Sequence, residues 1–398
     1  MYGFITLPFD VIFDIIEHPY FQRLRRIRQL GLTSMVYPGA YNTRFHHAIG
    51  AMHLAMQAVD VLREKGHGIS EAEREGLAIA ILLHDIGHGP FSHALEHSIV
   101  TNVNHEDLSL FFMHRLNQEM DGSLELAIRI FRNQYEKPFL HQLISSQLDV
   151  DRLDYLNRDS FYTGVQEGVI GVDRIIKLLN VVDGKLVVDQ KGIYSIEKFL
   201  VARRIMYWQV YLHKTVISAE FLLMNVLTRA KSLAQHGHSL FASPPLRKFL
   251  VHNYDASSFE RDSSLLDLFA ELDDYDILGA IKVWRHEKDP ALRLLCSWVL
   301  NRDLYKIELH NQPIDKQELQ VLKETYKKKL NLGNDELKYF VFAGHLDNIA
   351  YDPQKGISIL YKDGSLKDIG EASDHLNITS LSTPVRKYFV CYPKKSAI

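Results

Sequence analysis

At 398 residues, with 46% hydrophobic and 24% charged side chains, the chain can bury a substantial core and has the balance of a globular protein rather than a disordered or fibrous one. A net charge of −3 at pH 7 argues against a nucleic-acid-binding surface, and no stretch approaches 18 uncharged apolar residues, so a membrane span is not expected. Cys296 and Cys391 are too few for a disulfide framework, and Met1-Tyr2-Gly3-Phe4-Ile5 lacks the basic and apolar segments of a signal peptide, so the expected location is the cytoplasm.

Residues 10–31 carry Ile12, Ile15, Ile16, Phe21, Leu24, Ile27 and Leu30 at helical spacing. A Pro/Gly/Asn-rich loop from Pro38 to Thr43 follows, and 50–64 makes a second amphipathic helix. The third starts at Ser70, with Glu73 three residues on in a capping-box pattern, and runs through the apolar Leu77–Leu83 to His84-Asp85. Further helices are expected over 106–118, 141–149, 171–180 and the long stretch 194–233. Between the last two, Val181 to Val188 reads as a β-hairpin turning at Asp183-Gly184. Helical signals resume through 245–331. The remaining residues change character, with short strands expected at Tyr339–Phe342, Ile357–Tyr361 and Tyr388–Tyr392. The whole is a mainly α fold with a small β-hairpin and a short mixed α/β C-terminal appendage.

Nine of the twenty histidines lie between His46 and His105. His47, His84, Asp85 and Asp151 come from three distant segments and read together as the ligands of one divalent metal ion. Imidazole nitrogen and carboxylate oxygen suit Mn, Fe, Co, Ni or Zn, with Mg also possible, and helical proteins build such sites by projecting side chains inward from packed helices. After His84-Asp85 the chain opens into Gly87-His88-Gly89-Pro90-Phe91-Ser92-His93. His88, His93, Glu96 and His105 place imidazoles beside a carboxylate, as general acid/base chemistry on a phosphate ester requires. Each of these histidines taken singly is as readily a helix cap.

Asp149 to Asp159 is dense in opposite charge, with Asp151, Asp154, Tyr155 and Arg158 on one helical face. A solvated, ion-paired face is the commoner reading of such a run. Arg203, Tyr207 and Tyr211 at i, i+4 and i+8 offer a guanidinium for phosphate and phenol rings for a base or sugar, or simply an interhelical contact. Arg23-Leu24-Arg25-Arg26-Ile27-Arg28 is expected to solvate one helix face.

Arg44-Phe45-His46-His47, His84 to His93 and Asp149 to Tyr155 resemble the HD-domain deoxynucleoside triphosphate triphosphohydrolases, the group that includes bacterial dGTPases and the human SAM- and HD-domain dNTPase. The likeness runs from about residue 3 to 220. It implies an HD-domain catalytic core over 1–235, a helical extension over 236–335 and a small mixed or β appendage over 336–398. It implies hydrolysis of a dNTP to deoxynucleoside and tripolyphosphate by a homo-oligomer, dimer or tetramer. By the same resemblance His47, His84, Asp85 and Asp151 match metal ligands, and His93, Glu96, His105 and His88 match catalytic positions. Arg44, Arg152, Tyr155 and Arg203 match triphosphate contacts, Asp159 a 3′-hydroxyl contact, and Gln29, Leu30 and Tyr211 positions near the deoxyribose. Leu212 replaces a glutamine near the base. The chain starts almost where the family's core begins, so the family's N-terminal allosteric segment is expected to be missing. Glu17 stands where the human-type enzyme reads guanine with an aspartate. Two alternatives stay open on the residues alone: a phosphohydrolase acting on another nucleotide, monophosphate or cyclic, and a nucleotide sensor with an idle site.

Overall fold

A computed structural model describes residues 1–96, 98–100, 103–374 and 382–394. The fold is mainly α, with two small sheets among the described residues: one ordered β1 (Leu179–Val182), β2 (Lys185–Asp189), β5 (Ser358–Leu360), β6 (Leu366–Asp368), the other β3 (Lys306–His310), β7 (Val385–Tyr392), β4 (Phe342–Asn348). Its centre is the helix Arg44–Glu64 (α1), whose buried face is lined with Ala48, Ala51, Ala55 and Ala58. Small side chains let two other helices approach closely: Glu71–Leu83 (α2) and Val150–Thr163 (α3). Gly50 is required at the second crossing, because a Cβ there would sit 2.2 Å from Asp154 Oδ1 on α3.

The expected capping box is present on α2. Ser70 Oγ accepts from Glu73 N at 3.2 Å, and Glu73 Oε2 accepts from Ser70 N at 2.8 Å. Burial of Leu77 to Leu83 on all sides makes α2 a core element. The hairpin also forms as its turn residues require: β1 (Leu179–Val182) pairs with β2 (Lys185–Asp189), with Asp183 and Gly184 at φ 50° and 74°.

Three expectations need correction. The first helix is split into Asp10–Glu17, Pro19–Gln22 and a 3-10 turn Arg23–Arg26. Pro19 is the cause, since the residue before a proline is pushed out of the helical region, and His18 lies at ψ 139°. The long stretch 194–233 is interrupted too. Ile193–Met206 (α4) passes into a π-helical turn, Tyr207–Tyr211, and the chain breaks at Leu212-His213 before Lys214–Gln235 (α5). Finally, a strand, β3 (Lys306–His310), lies within the stretch expected to be helical. Its apolar and polar residues alternate, and it pairs antiparallel with β7 (Val385–Tyr392). Tyr339 to Val341 form a turn, with β4 beginning at Phe342.

The C-terminal third packs onto the helical core. β5 (Ser358–Leu360) adds parallel to hairpin strand β2, and β6 (Leu366–Asp368) pairs with β5. The helix Asp274–Trp284 (α6) presents Asp273 and Asp274 to the segment around Arg26 and Arg28, while Trp284 is fully buried and donates from Nε1 to Phe241 O at 2.8 Å. Trp284→Ala removes that ring and its hydrogen bond together. The expected loss is about 3–5 kcal/mol of unfolding free energy, read as a lowered urea midpoint.

Candidate metal centre and nucleotide cavity

α2 ends at Leu83, and its last turn hands His84 and Asp85 to a tight turn rather than to another helical residue. Gly87 is needed inside that turn. A Cβ there would lie 2.1 Å from His105 O and 2.4 Å from Ser109 N, so any side chain would push away the helix His105–Glu119. Arg23 secures the turn from behind: fully buried between the rings of Phe112 and Phe269, it donates from Nη2 to Ile86 O at 2.5 Å. Burial lowers that guanidinium to about 9. The arginine run is therefore only in part the solvated face expected: Arg25 and Arg26 are exposed, while Arg23 is buried and Arg28 half-buried. Arg25 lies over the Phe45 ring, Arg26 pairs with Asp273, and Arg28 stands over Tyr41.

The turn, α1 and α3 converge on one point. His47 Nε2 lies 3.1 Å from Asp151 Oδ1 and 3.3 Å from His84 Nε2; His84 Nε2 lies 3.5 Å from Asp151 Oδ1 and 3.5 Å from Asp85 Oδ1; His47 Nε2 lies 3.8 Å from Asp85 Oδ2. Donors bound about 2.0–2.2 Å from one ion stand roughly 3.0–3.6 Å apart, so the spacing fits a shared cation. The outer nitrogens fix the tautomers. His47 Nδ1 donates to Asp154 Oδ2 at 2.8 Å and His84 Nδ1 donates to Ile81 O at 2.6 Å, which turns both Nε2 lone pairs toward the centre. Burial opposes charge on His47, but hydrogen bonds to Asp151 and Asp154 outweigh it and raise the imidazole to about 10. A cation at Nε2 answers the same demand for positive charge.

The charge run on α3 is no solvated face. Asp154 is completely buried, and it accepts from His47, from Arg158 Nε and Nη2 at 2.8 Å each, and from Tyr2 OH at 2.8 Å. Asp149 caps α3 by accepting from Arg152 N at 2.8 Å, and it pairs with the Arg152 side chain.

A second cluster adjoins the first. Asp85 Oδ1 lies 3.3 Å from His88 Nε2, the His88 and His105 rings stack with centroids 3.8 Å apart, and His105 Nδ1 lies 3.2 Å from Glu96 Oε1. Asp85, His88 and His105 also meet the spacing of a ligand group. Burial, then the nearby Arg44, holds His88 well below the usual imidazole range and hence neutral. Glu96 ends the short helix Ser92–Glu96 and engages His105 and, at 3.8 Å, His88. The side chain of His93, expected to pair with Glu96, lies outside the described residues.

Both clusters open onto a cavity of about 580 Å³. Of the residues expected to bind substrate, Gln29, Leu30, Arg44, Arg152, Tyr155, Asp159 and Tyr211 line it; Arg203 does not. Arg203 sits behind Tyr207, with Nη1 donating to Gln147 Oε1 at 3.3 Å. Asp159 accepts from Tyr211 OH at 2.9 Å and from Asn42 Nδ2 at 3.0 Å, and burial raises its carboxyl to about 6 against those bonds. The π-helical turn brings Tyr211 to this position, 6.1 Å from the Tyr155 ring. Such turns are frequent at functional sites.

Several lining residues carried no sequence signal. Ser92 accepts from Arg44 Nη2 at 3.1 Å, while Arg44 Nη1 donates to Asp85 Oδ2 at 2.5 Å. Phe91 sits at φ 47° and donates its N–H to Asp274 Oδ1 at 3.2 Å; Asp274 Oδ2 accepts from Arg28 N at 3.1 Å, so one carboxyl of the C-terminal third ties two walls together. Glu220, on α5, also lines the cavity, and burial raises it to about 7. An isolated glutamate inside a helix matches no motif, which is why reading the chain passed over it.

The comparisons agree with this geometry. A model of the HD domain matches residues 44–159, and one of the HD-associated region matches residues 170–237. Uncharacterized protein YwfO of Bacillus subtilis (strain 168) is 36% identical over 303 residues, which cover 74% of this chain and 67% of that protein. The crystal structure of a phosphohydrolase from Bacteroides thetaiotaomicron superposes with a TM-score of 0.95 at 51% identity, covering 99% of this chain and 98% of that one. The chain belongs to the HD-domain phosphohydrolase superfamily. A further relative of this HD-domain protein is the deoxynucleoside triphosphate triphosphohydrolase SAMHD1 homolog of Dictyostelium discoideum, 32% identical over 249 residues; these are 58% of this chain and about half (48%) of the relative. Among the described residues no single helix of the HD-domain protein is long and apolar enough to cross a membrane.

Two measurements test this site. Asp154→Asn should weaken Mn²⁺ binding by about 10–100-fold, because the carboxylate that orients His47 is gone; a calorimetric titration at a temperature where the variant is folded reads it. Unchanged affinity would show that His47 needs no support from Asp154. For Glu220 the folded carboxyl is raised from 4.5 to about 7, so its buried charge burdens the fold above that pH and not at low pH, where both states are protonated. Glu220→Gln should therefore raise the urea midpoint at pH 8.5, and the gain should shrink toward zero as the pH falls to 4.5.

Proposed function

We propose that this HD-domain protein hydrolyses deoxynucleoside triphosphates to deoxynucleoside and inorganic tripolyphosphate. The observation that carries this reading is a pair of guanidinium groups, Arg44 and Arg152, that line the same cavity as the metal-centre carboxylates Asp85 and Asp151. Two cations in one cavity wall suit a ligand with several negative charges, and a polyphosphate presents charged acceptors to both. The names of the SAMHD1 relatives point to the same substrate class.

In this reading His47, His84, Asp85 and Asp151 would hold a divalent cation, which when bound would supply Lewis acidity toward a phosphate. Arg44 and Arg152 offset the negative charge of the triphosphate and hold it beside Asp85. Arg203 acts at one remove, by buttressing Tyr207. Water attacks the α-phosphorus, the bond to the 5′-oxygen breaks, and that oxygen must take a proton. His105, which engages Glu96, is the donor we assign to it, with His93 as the alternative that the family resemblance offers. His88 stays neutral and stacks on His105, which keeps the ring in place. Asp159 accepts a hydrogen bond from the sugar 3′-hydroxyl, while Leu30 and Tyr211 close against C2′ and leave no room for a ribose hydroxyl. We further propose that the chain works as a homo-oligomer and that residues 1–235 form the catalytic unit, with 236–335 and 336–398 supporting it.

The purified protein with Mn²⁺ or Mg²⁺ should turn over dNTPs, supplied singly and mixed, and release tripolyphosphate rather than phosphate or pyrophosphate. Asp85→Ala should abolish turnover. Leu30→Ala and Tyr211→Ala should raise the ribonucleotide rate relative to the deoxyribonucleotide rate by tenfold or more. Cleavage of a nucleoside monophosphate or cyclic nucleotide with no dNTP turnover would assign the site to a different phosphoester.

A further inference from the structure

The catalytic reading leaves one of the cavity's four lining carboxyls unused. Asp85, Asp151 and Asp159 each meet histidine, arginine, tyrosine or amide partners. Glu220 meets none. Among the described residues no hydrogen-bond donor and no cation reaches its carboxyl, and burial alone perturbs it. A carboxyl placed in a cavity wall without partners is short of two donors, since each of its oxygens can accept. Helix α5 holds it there: Leu223, one turn further on, lines the same cavity, and α5 packs against the 3-10 turn Gly31–Met35, which lines it as well.

What those donors belong to follows from the rest of the wall. If the triphosphate lies against Arg44 and Arg152 and the sugar against Asp159, Tyr155 and Tyr211, the lining left away from the metal centre includes Arg28, Gln29, Thr33, Tyr207, Leu212, Glu220 and Leu223. Two acceptors there meet no donor among the described residues, Glu220 and the buried amide oxygen of Gln29, while the Arg28 guanidinium is engaged by the Tyr41 ring and Asp274. A base seated there must bring donors. Guanine alone offers two adjacent ones, N1–H and the 2-amino group. Adenine and cytosine set an amino group beside a ring acceptor, and thymine flanks its single N–H with two carbonyls, so each would turn an oxygen or nitrogen lone pair toward the carboxylate.

We propose that Glu220 determines base specificity by accepting N1–H and the 2-amino group of guanine, which makes dGTP the preferred substrate. The inference rests on the dNTP reading of the cavity. It costs the other bases a lost pair of charge-assisted hydrogen bonds and leaves a buried carboxylate unpaired, a penalty of the kind that separates substrates strongly.

The test uses the full chain and two readouts. Turnover of the four dNTPs with Mn²⁺ should give a kcat/KM for dGTP at least tenfold above that for dTTP, and Glu220→Gln should collapse that ratio tenfold or more. Binding of each dNTP in EDTA, where nothing turns over, should show the same Glu220-dependent preference in Kd. Glu220→Ala should behave like Glu220→Gln, and Glu220→Asp should restore part of the ratio, which a merely destabilised variant would not do. Equal kcat/KM for all four dNTPs in the wild type, or a Glu220→Gln variant that lowers all four alike, would overturn the proposal and leave the triphosphohydrolase reading standing. Glu220-dependent preference for dGTP in EDTA with no turnover of any dNTP would support the base reading and sink the reaction instead. No base preference in either readout would overturn it outright.

Discussion

Asp154 keeps a full carboxylate at zero exposure, and it can do so because His47, both arms of Arg158 and the Tyr2 hydroxyl converge on it. An isolated carboxylate at such a depth would be strongly disfavoured; with every lone pair engaged, it becomes a rigid strut. Its interaction with His47 decides which imidazole nitrogen faces the metal centre. Its interaction with Arg158 joins adjacent turns of α3, the helix that carries Asp151. Glycine at position 50 is the counterpart on α1, since only a residue without a Cβ lets α1 come close enough for the strut to span. Removing one partner of such a group costs about 3–5 kcal/mol, so the geometry of the metal centre and the stability of the core are one property.

The same economy runs through the cavity. Arg44 holds Asp85 and Ser92 while leaving its Nε–H without an acceptor, and Asp159 holds Tyr211 while keeping its carboxyl near half ionisation at pH 6. Both side chains line the cavity and are held in place by protein partners. Asp274 extends the arrangement beyond the HD region. By accepting from Arg28 N and Phe91 N it makes the C-terminal third part of the cavity's frame, which gives that third a mechanical reason to pack where it does.

Reading the chain went furthest where chemistry is local. Ser70 and Glu73 specify their capping box within four residues, and Asp183-Gly184 specifies the hairpin turn, because each depends on dihedral preferences and hydrogen bonds between near neighbours. The His-Asp pair ending an apolar helix, with histidines and an aspartate elsewhere, was legible as ligand chemistry. Charge patterns misled. Arg23 and Asp154 look like members of solvated runs, yet both are buried, since the partners that make burial tolerable, Ile86 O with two phenyl rings and Tyr2 with His47, lie 63 to 246 residues away.

Sequence alone determined the helical core, the cap, the hairpin and the donor types at the metal centre, all of which rest on periodicity, turn stereochemistry or side-chain chemistry. Tertiary structure decided which charges are buried, where the helix after Met206 yields to a π turn, that Lys306–His310 forms a strand against a segment about eighty residues later, and that Glu220 faces a cavity with nothing to bind it. Those outcomes depend on the identity of distant neighbours, and packing supplies them only once the chain has closed.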